Sequence, residues 1–243
     1  MQIMKKFSPL WLSVLVFSSP CFLLAQDNAG GNKFASAGLS AAKRKDWNAA
    51  VANFRKAVEA EPNDKKNSQN LALALQQRGI ADVSQKKYDQ AIADLSEALK
   101  FNPADLPAHR FRAFAYLSKG DWKNALQEYD IVIKEFHNDA ETFERRAFVE
   151  MQLKDYDKAL ADYSAAIKQR PDEVRFYISR SYILEMKGEA ARAIADCDKI
   201  LQLKPGNAEA QARKARLQGT QSQTPPSPPS GSPPAVPAAT KVP

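Results

Sequence analysis

Apolar and polar positions follow the period of an amphipathic helix along most of this 243-residue chain, and one stripe of them keeps returning. Within 154–171, Ala159, Leu160, Tyr163, Ala166 and Ile167 fall at i, i+1, i+4, i+7 and i+8, on one helix face. A step of 34 residues toward the N-terminus lands on Ala125, Leu126, Tyr129, Val132 and Ile133, and the same step forward lands on Ala193, Ile194, Cys197, Ile200 and Leu201. A further step back gives Ala91, Ile92, Leu95, Ala98 and Leu99, and a last step of 41 residues gives Ala50, Val51, Phe54, Ala57 and Val58. Five copies of one unit predict a repeat protein in which each copy buries its stripe against its neighbours.

Every copy predicts a first helix, a short turn and a second helix that carries the stripe. The first helices are expected over 33–45, 68–85, 106–118, 140–153 and 174–186. Gly120 and Gly188 supply the left-handed residue that ends a helix, and Asp46, Asp121 and Asp155 stand where they cap the next one. Second helices are expected to stop near Pro62, Pro103, Pro171 and Pro205, with His137 in that place in the third copy. Gly38, Gly79, Ala113, Ala147 and Ser181 mark close approach of the first helices to their partners. The seven-residue excess around 61–70 reads as a solvated loop that turns helical near Ser68.

A second column is polar. Arg78, Arg112, Arg146 and Arg180 each precede an acid by 16 residues: Asp94, Glu128, Asp162 and Asp196. This predicts an ion pair across the two helices of a copy, the other reading being that the arginines face a ligand.

Composition changes the picture mainly at the two ends. Lys5 and Lys6, an apolar run from Leu10 to Ala25 and polar Gln26 to Asn28 read as a signal peptide over 1–25, cleaved after Ala25, which predicts an exported chain in the periplasm or secreted space. A net charge of +7 less those two lysines leaves +5, a mild excess that falls well short of a nucleic-acid footprint, which needs basic residues clustered on one face, so nucleic acid is not an expected partner. Cys21 raises a lipidated N-terminus as an alternative, and a membrane contact is expected only if the N-terminus is retained or lipidated. Removal of 1–25 leaves Cys197 as the only cysteine, a small hydrophobe in the stripe with no disulfide partner. Residues 219–243 hold eight prolines among Ser, Thr, Gly and Ala, and read as a disordered tail.

The 34-residue helix–turn–helix unit, with its small, aromatic, alanine and proline slots, resembles the tetratricopeptide repeat. The resemblance implies an all-α fold, a right-handed α-solenoid of five repeats (31–64, 72–105, 106–139, 140–173 and 174–207) plus a C-terminal capping helix over 208–218. Asp82 and Glu150 depart from the family pattern, standing where an apolar or aromatic residue is usual. The family binds peptides on the concave face lined by its first helices, and this directs attention to three columns. One runs through Ile80, Phe114, Phe148 and Tyr182; the next through Gln76, Arg110, Glu144 and Ile178; the third includes Gln77, Phe111 and Arg145. These are the candidate partner-binding residues, and their chemistry suits a segment with apolar anchors and an acidic group. The competing reading is that Phe114 and Phe148 pack between helices. The family's clamp for acidic chaperone tails uses Lys and Asn in these columns, and here Ile80, Phe114 and Phe148 stand where Asn is expected.

Catalysis finds no foothold. His109 and His137 are the only histidines, neither metal-ligand spacing nor a phosphate-cradling glycine loop occurs, and no cofactor is expected. His109 shares the slot of Phe34, Phe143 and Tyr177, which predicts a packing role. The chain therefore reads as a non-catalytic, exported protein- or peptide-binding scaffold. The alternative is a membrane-tethered assembly factor resembling the tetratricopeptide pilot proteins of secretion and pilus systems.

Overall fold

A computed structural model describes residues 32–137 and 139–221, and among them the chain forms eleven α-helices and no strand. They are α1 (Lys33–Lys43), α2 (Trp47–Ala60), α3 (Lys65–Ser84), α4 (Tyr88–Phe101), α5 (Leu106–Lys119), α6 (Trp122–Glu135), α7 (Ala140–Gln152), α8 (Tyr156–Gln169), α9 (Val174–Met186), α10 (Ala190–Leu203) and α11 (Ala208–Gln221). The signal peptide expected over 1–25 and the tail from residue 222 onward lie outside the described residues. Two compact units divide the chain, with the boundary between Phe176 and Tyr177 inside α9.

The helix starts follow from side chains that satisfy free amides. Asp46, Asp105, Asp121 and Asp155 accept from the backbone N–H groups of Ala49, Ala108, Asn124 and Lys158 at 3.0–3.5 Å, and Asp64 accepts from Lys66 at 2.8 Å. Each such cap contributes about 1 kcal/mol. The Asp64 cap overturns the expected loop: helix α3 begins at Lys65, and the seven-residue excess lengthens it to 20 residues. The stretch is largely solvated as expected, with Glu61, Asn63, Lys65 and Gln69 exposed, but Asn67 is 1% exposed and its Nδ2 donates to the Ala57 carbonyl at 3.4 Å and to Glu61 Oε2 at 3.2 Å.

Helix ends are as regular as the starts. The residues after α2, α4, α8 and α10 are Glu61, Asn102, Arg170 and Lys204, each with φ between −142° and −132° and ψ between 74° and 84°. A following proline imposes that extended conformation by steric clash with its ring. Phe136 adopts it too, at φ −133° and ψ 87°, although His137 follows. Left-handed residues close all five turns within the hairpins: Gly120 and Gly188, as expected, and also Lys45, Lys86 and Lys154 at φ 59–63°. At the C-terminus α11 runs through Gly219 to Gln221, past the expected end at Gln218. A lone glycine weakens a helix by about 1 kcal/mol but does not stop it.

In the first unit α1 packs on α2, α3 on α4, α5 on α6 and α7 on α8, while α2–α3, α4–α5 and α6–α7 contacts join successive hairpins. The repeated stripe is the core: Ala50, Phe54, Leu95, Ala98, Ala125, Tyr129, Ala159 and Tyr163 are all buried. Its small partners are needed. A Cβ on Gly38 would lie 2.6 Å from the Phe54 ring, and one on Gly79 would lie 2.8 Å from Leu95 Cγ.

The arginine column is structural. Arg78 donates to both Asp94 oxygens at 2.6 and 2.8 Å, Arg112 to Glu128 at 2.6 Å, and Arg146 to both Asp162 oxygens at 2.7 and 2.8 Å. His109 is buried, with Nδ1 2.7 Å from Glu128 Oε2 and Nε2 2.9 Å from the Pro103 carbonyl, so its slot is one of packing joined to polar linkage.

The second unit, taken by itself, repeats the design. Arg180 pairs with Asp196 at 2.6 and 2.9 Å, and Cys197 is buried with its thiol pushed up by desolvation. Arg213 of α11 donates to Ser181 Oγ at 2.9 Å and Glu185 Oε2 at 3.0 Å, which anchors the last helix.

Candidate functional site

In the first unit the candidate side chains sit on three successive first helices, α3, α5 and α7, and hydrogen bonding sorts them. Gln76 Nε2 donates to both carboxylate oxygens of Asp105 at 2.8 Å, and Arg110 Nη1 donates to Asp139 Oδ2 at 2.6 Å. Each link spans 29 residues, from one first helix to the acid that caps the next. Burial pushes the Asp139 carboxyl up, but Thr142, Arg110 and the Glu141 amide together hold it below the usual carboxylate range. This column, read from the sequence as ligand-facing, joins one hairpin to the next.

Its third member breaks the rule. Residue 173, 29 positions after Glu144, is another acid, Glu173, so Glu144 has no cap partner of opposite charge there. Glu144 is 3% exposed, its Oε2 accepts no hydrogen bond among the described residues, and Arg175 Nη1 stands 3.5 Å away. Burial pushes its carboxyl up to about 8, against the pull of Arg175 and Arg145, with Glu141 and Glu173 adding to the rise.

The other columns are aromatic and partly accessible. Phe111 and Phe114 are half-buried against the cluster of Val83, Leu95 and Ala115, and Ile80 is half-buried nearby on α3. Gln77 donates to Gln76 Oε1 at 3.1 Å. The Arg145 guanidinium lies over the Phe114 ring, 5.4 Å from its centroid, and is 5% exposed. Phe148 meets the Trp122 ring edge-on at 6.3 Å and is buried. The structure thus brings Phe114 and Arg145 together. It leaves Gln77, Ile80, Arg110, Phe111 and Phe114 with accessible surface and sinks Gln76, Glu144, Arg145 and Phe148 into the fold. Ile178 and Tyr182 belong to the second unit, where Arg213 of α11 lies over the Tyr182 ring at 5.7 Å.

One contributor escaped the sequence reading. Tyr129 is fully buried, and among the described residues its hydroxyl has no hydrogen-bond partner and the Arg145 nitrogen Nε is likewise unsatisfied. Desolvation pushes the Tyr129 phenol up, opposed by Arg145 and Arg110. The signal was present in the stripe, where a hydroxyl-bearing ring replaces the Leu95 and Phe54 of earlier copies. An aromatic face with Arg110 on it, above a buried polar layer, has the chemistry to seat apolar side chains beside an acid.

Two family models of the tetratricopeptide repeat match this chain, over residues 82–142 and 146–208, together just over half of it. The small glutamine-rich tetratricopeptide repeat-containing protein 2 of Mycosarcoma maydis is 30% identical over 104 residues, 43% of this chain and 28% of that protein. Its namesake in Saccharomyces cerevisiae is 26% identical over 122 residues, 50% of this chain and 33% of that protein. The chain therefore spans a third or less of the length of these curated relatives. Among solved structures, YrrB, described as a TPR protein with an unusual peptide-binding site, aligns with a TM-score of 0.58 at 16% identity, over 73% of this chain and 88% of YrrB. A tetratricopeptide repeat protein from Parabacteroides merdae aligns with a TM-score of 0.59 at 18% identity, over 78% and 73%. MamA aligns with a TM-score of 0.53 at 20% identity, over 71% and 96%. At such identities the likeness shows the fold alone.

Proposed function

The chain belongs to the tetratricopeptide repeat family, and from that premise we propose that it is a non-catalytic scaffold capturing a protein or peptide segment on the face of α3, α5 and α7. The observation that carries this reading is the aromatic surface of Phe111 and Phe114, half-buried and backed by Arg145, with Ile80 alongside. Arg110 retains accessible surface beside it even while paired to Asp139, so an acidic group on the partner would compete for its remaining donors. The peptide-binding site of YrrB supports a peptide as the partner class. The site is the exported scaffold's working surface in this reading, with the signal over 1–25 directing it to the envelope or secreted space. The alternative is a membrane-tethered assembly factor with an uncleaved or lipidated N-terminus, and sequencing the mature N-terminus separates the two, since a start at Gln26 removes the tether.

The test is capture from the native cell. The wild-type chain is crosslinked to what it holds, and the double substitution Ile80→Ser, Phe114→Ser is compared with it. Loss of the captured species with an unchanged helical circular-dichroism spectrum supports the proposal. Unchanged capture by the folded variant overturns it.

A further inference from the structure

A groove of about 680 Å³ opens between the turn that joins α1 to α2 and the hairpin of α3 and α4. It lies apart from the candidate columns of α3, α5 and α7: its walls include Lys45 and Trp47 from the turn, Arg78 and Asp82 from α3, and Lys87 and Asp94 from the α4 side. Arg78 and Asp94 satisfy each other through two hydrogen bonds. Asp82 has no such partner. It is 9% exposed, and among the described residues no group donates a hydrogen bond to it or comes within ion-pair distance.

The position of Asp82 recurs along the chain. Residues 82, 116, 150 and 184 occupy one slot at 34-residue spacing, filled by Asp82, Tyr116, Glu150 and Leu184. In the third copy Tyr116 packs against the buried cluster of Ala113, Ala125, Tyr129 and Val149. In the second copy Asp82 stands in that slot, and its short side chain with a terminal carboxylate lines the groove. Burial pushes the Asp82 carboxyl up and Asp94 adds to the rise, while Lys87 and Arg78 oppose it. Lys45 and Lys87 are exposed on the rim and make no ion pair among the described residues.

We propose that this groove is a docking site for a basic side chain of a partner segment, its guanidinium or ammonium donating to Asp82 and its aliphatic stem lying along the Trp47 indole. A buried carboxylate without a donor is the group such a cation satisfies best, and an indole face adds attraction for it. The rim sets the flanking residues: Lys45 and Lys87 repel a run of basic residues and favour acids on either side of the docked one. A lone anion fits poorly, because Asp82, Asp94 and Asp46 line the same space.

The probe is a fluorescein-labelled, end-capped peptide with the sequence serine–glutamate–arginine–glutamate–serine, titrated against the full chain by anisotropy. The expected result is saturable binding that Asp82→Asn weakens by about tenfold or more. Replacing the peptide arginine by glutamine should weaken it equally, and Lys45→Gln with Lys87→Gln should remove the benefit of the flanking glutamates. Asp82→Asn keeps or raises the melting temperature, since it removes an unpaired buried charge, so a loss of binding does not report unfolding. Phe114→Ala leaves this binding unchanged, which separates it from the face of α3, α5 and α7. Absence of saturation up to about 1 mM peptide, or equal binding by Asp82→Asn, overturns the proposal.

Discussion

Arg146 on α7 grips Asp162 on α8 with two hydrogen bonds, Nε to Oδ2 at 2.7 Å and Nη2 to Oδ1 at 2.8 Å, and extends Nη1 to Asp130 on α6 at 2.7 Å. One guanidinium thus ties three helices from two hairpins. The two bonds differ in worth, because Asp162 is buried and Asp130 is exposed. Arg146→Ala strands the Asp162 carboxylate and should cost about 3 kcal/mol, and Arg146→Lys should recover only part of that because an ammonium cannot form the fork. Asp130→Asn should cost under about 0.5 kcal/mol. Urea-unfolding midpoints distinguish the three, and equal costs for Arg146→Ala and Asp130→Asn would sink this account.

Two buried glutamates give stability a pH dependence of definite sign. Desolvation pushes Glu150 up to about 8, with Asp162 and Asp155 adding to the rise and Arg146 and Lys158 opposing it. Glu144 is likewise pushed up to about 8 by desolvation, from an ordinary 4.5. Between those limits the folded chain binds more protons than the unfolded chain, so the contribution of both groups is fully present below about 4.5 and is lost as pH rises through about 8. Glu144→Gln and Glu150→Gln should each raise the melting temperature more at pH 9 than at pH 5. A larger gain at pH 5 would contradict the assignment.

Gly79 owes its place to Leu95. A methyl group there would meet Leu95 Cγ at 2.8 Å and the Ala91 carbonyl at 3.3 Å, with no room on the backbone side. Gly79→Ala should therefore destabilise by about 1–3 kcal/mol despite the better helix propensity of alanine. Pairing it with Leu95→Val should cost less than the sum of the two single changes, a coupling measurable by a double-mutant cycle.

Lys154 closes its turn in the left-handed region at φ 63°, the position that Gly120 holds in the preceding hairpin at φ 78°. A side chain there carries about 1–2 kcal/mol of steric strain. Lys154→Gly should stabilise by about 1 kcal/mol or less after the entropy of glycine is counted, and Gly120→Lys should destabilise by a similar amount. Thermal unfolding of both variants checks the sign.

The 34-residue recurrence by itself determined the helices, the hairpins, the buried stripe and the Arg–acid column, because each depends on residues that share a helix or sit on adjoining helices of one copy. Arg146 and Asp162 are legible as partners since the same 16-residue spacing returns in four copies. The tertiary structure decided what depends on a neighbour beyond the copy. Gln76 and Arg110 look like ligand-facing polar residues until Asp105 and Asp139 arrive from the next hairpin and bond to them. Arg145 and Phe148 keep the same helical face as Phe114, yet the rings of Phe114 and Trp122 cover them. The strained Lys45, Lys86 and Lys154 were invisible because lysine carries no preference for the left-handed region; the closing geometry of the hairpin imposes it. The groove at Asp82 follows from the same division. Periodicity names the slot, but only packing shows that a tyrosine joins the apolar core there in one copy and a carboxylate lines a groove in another, since a side chain's volume and partners belong to three dimensions.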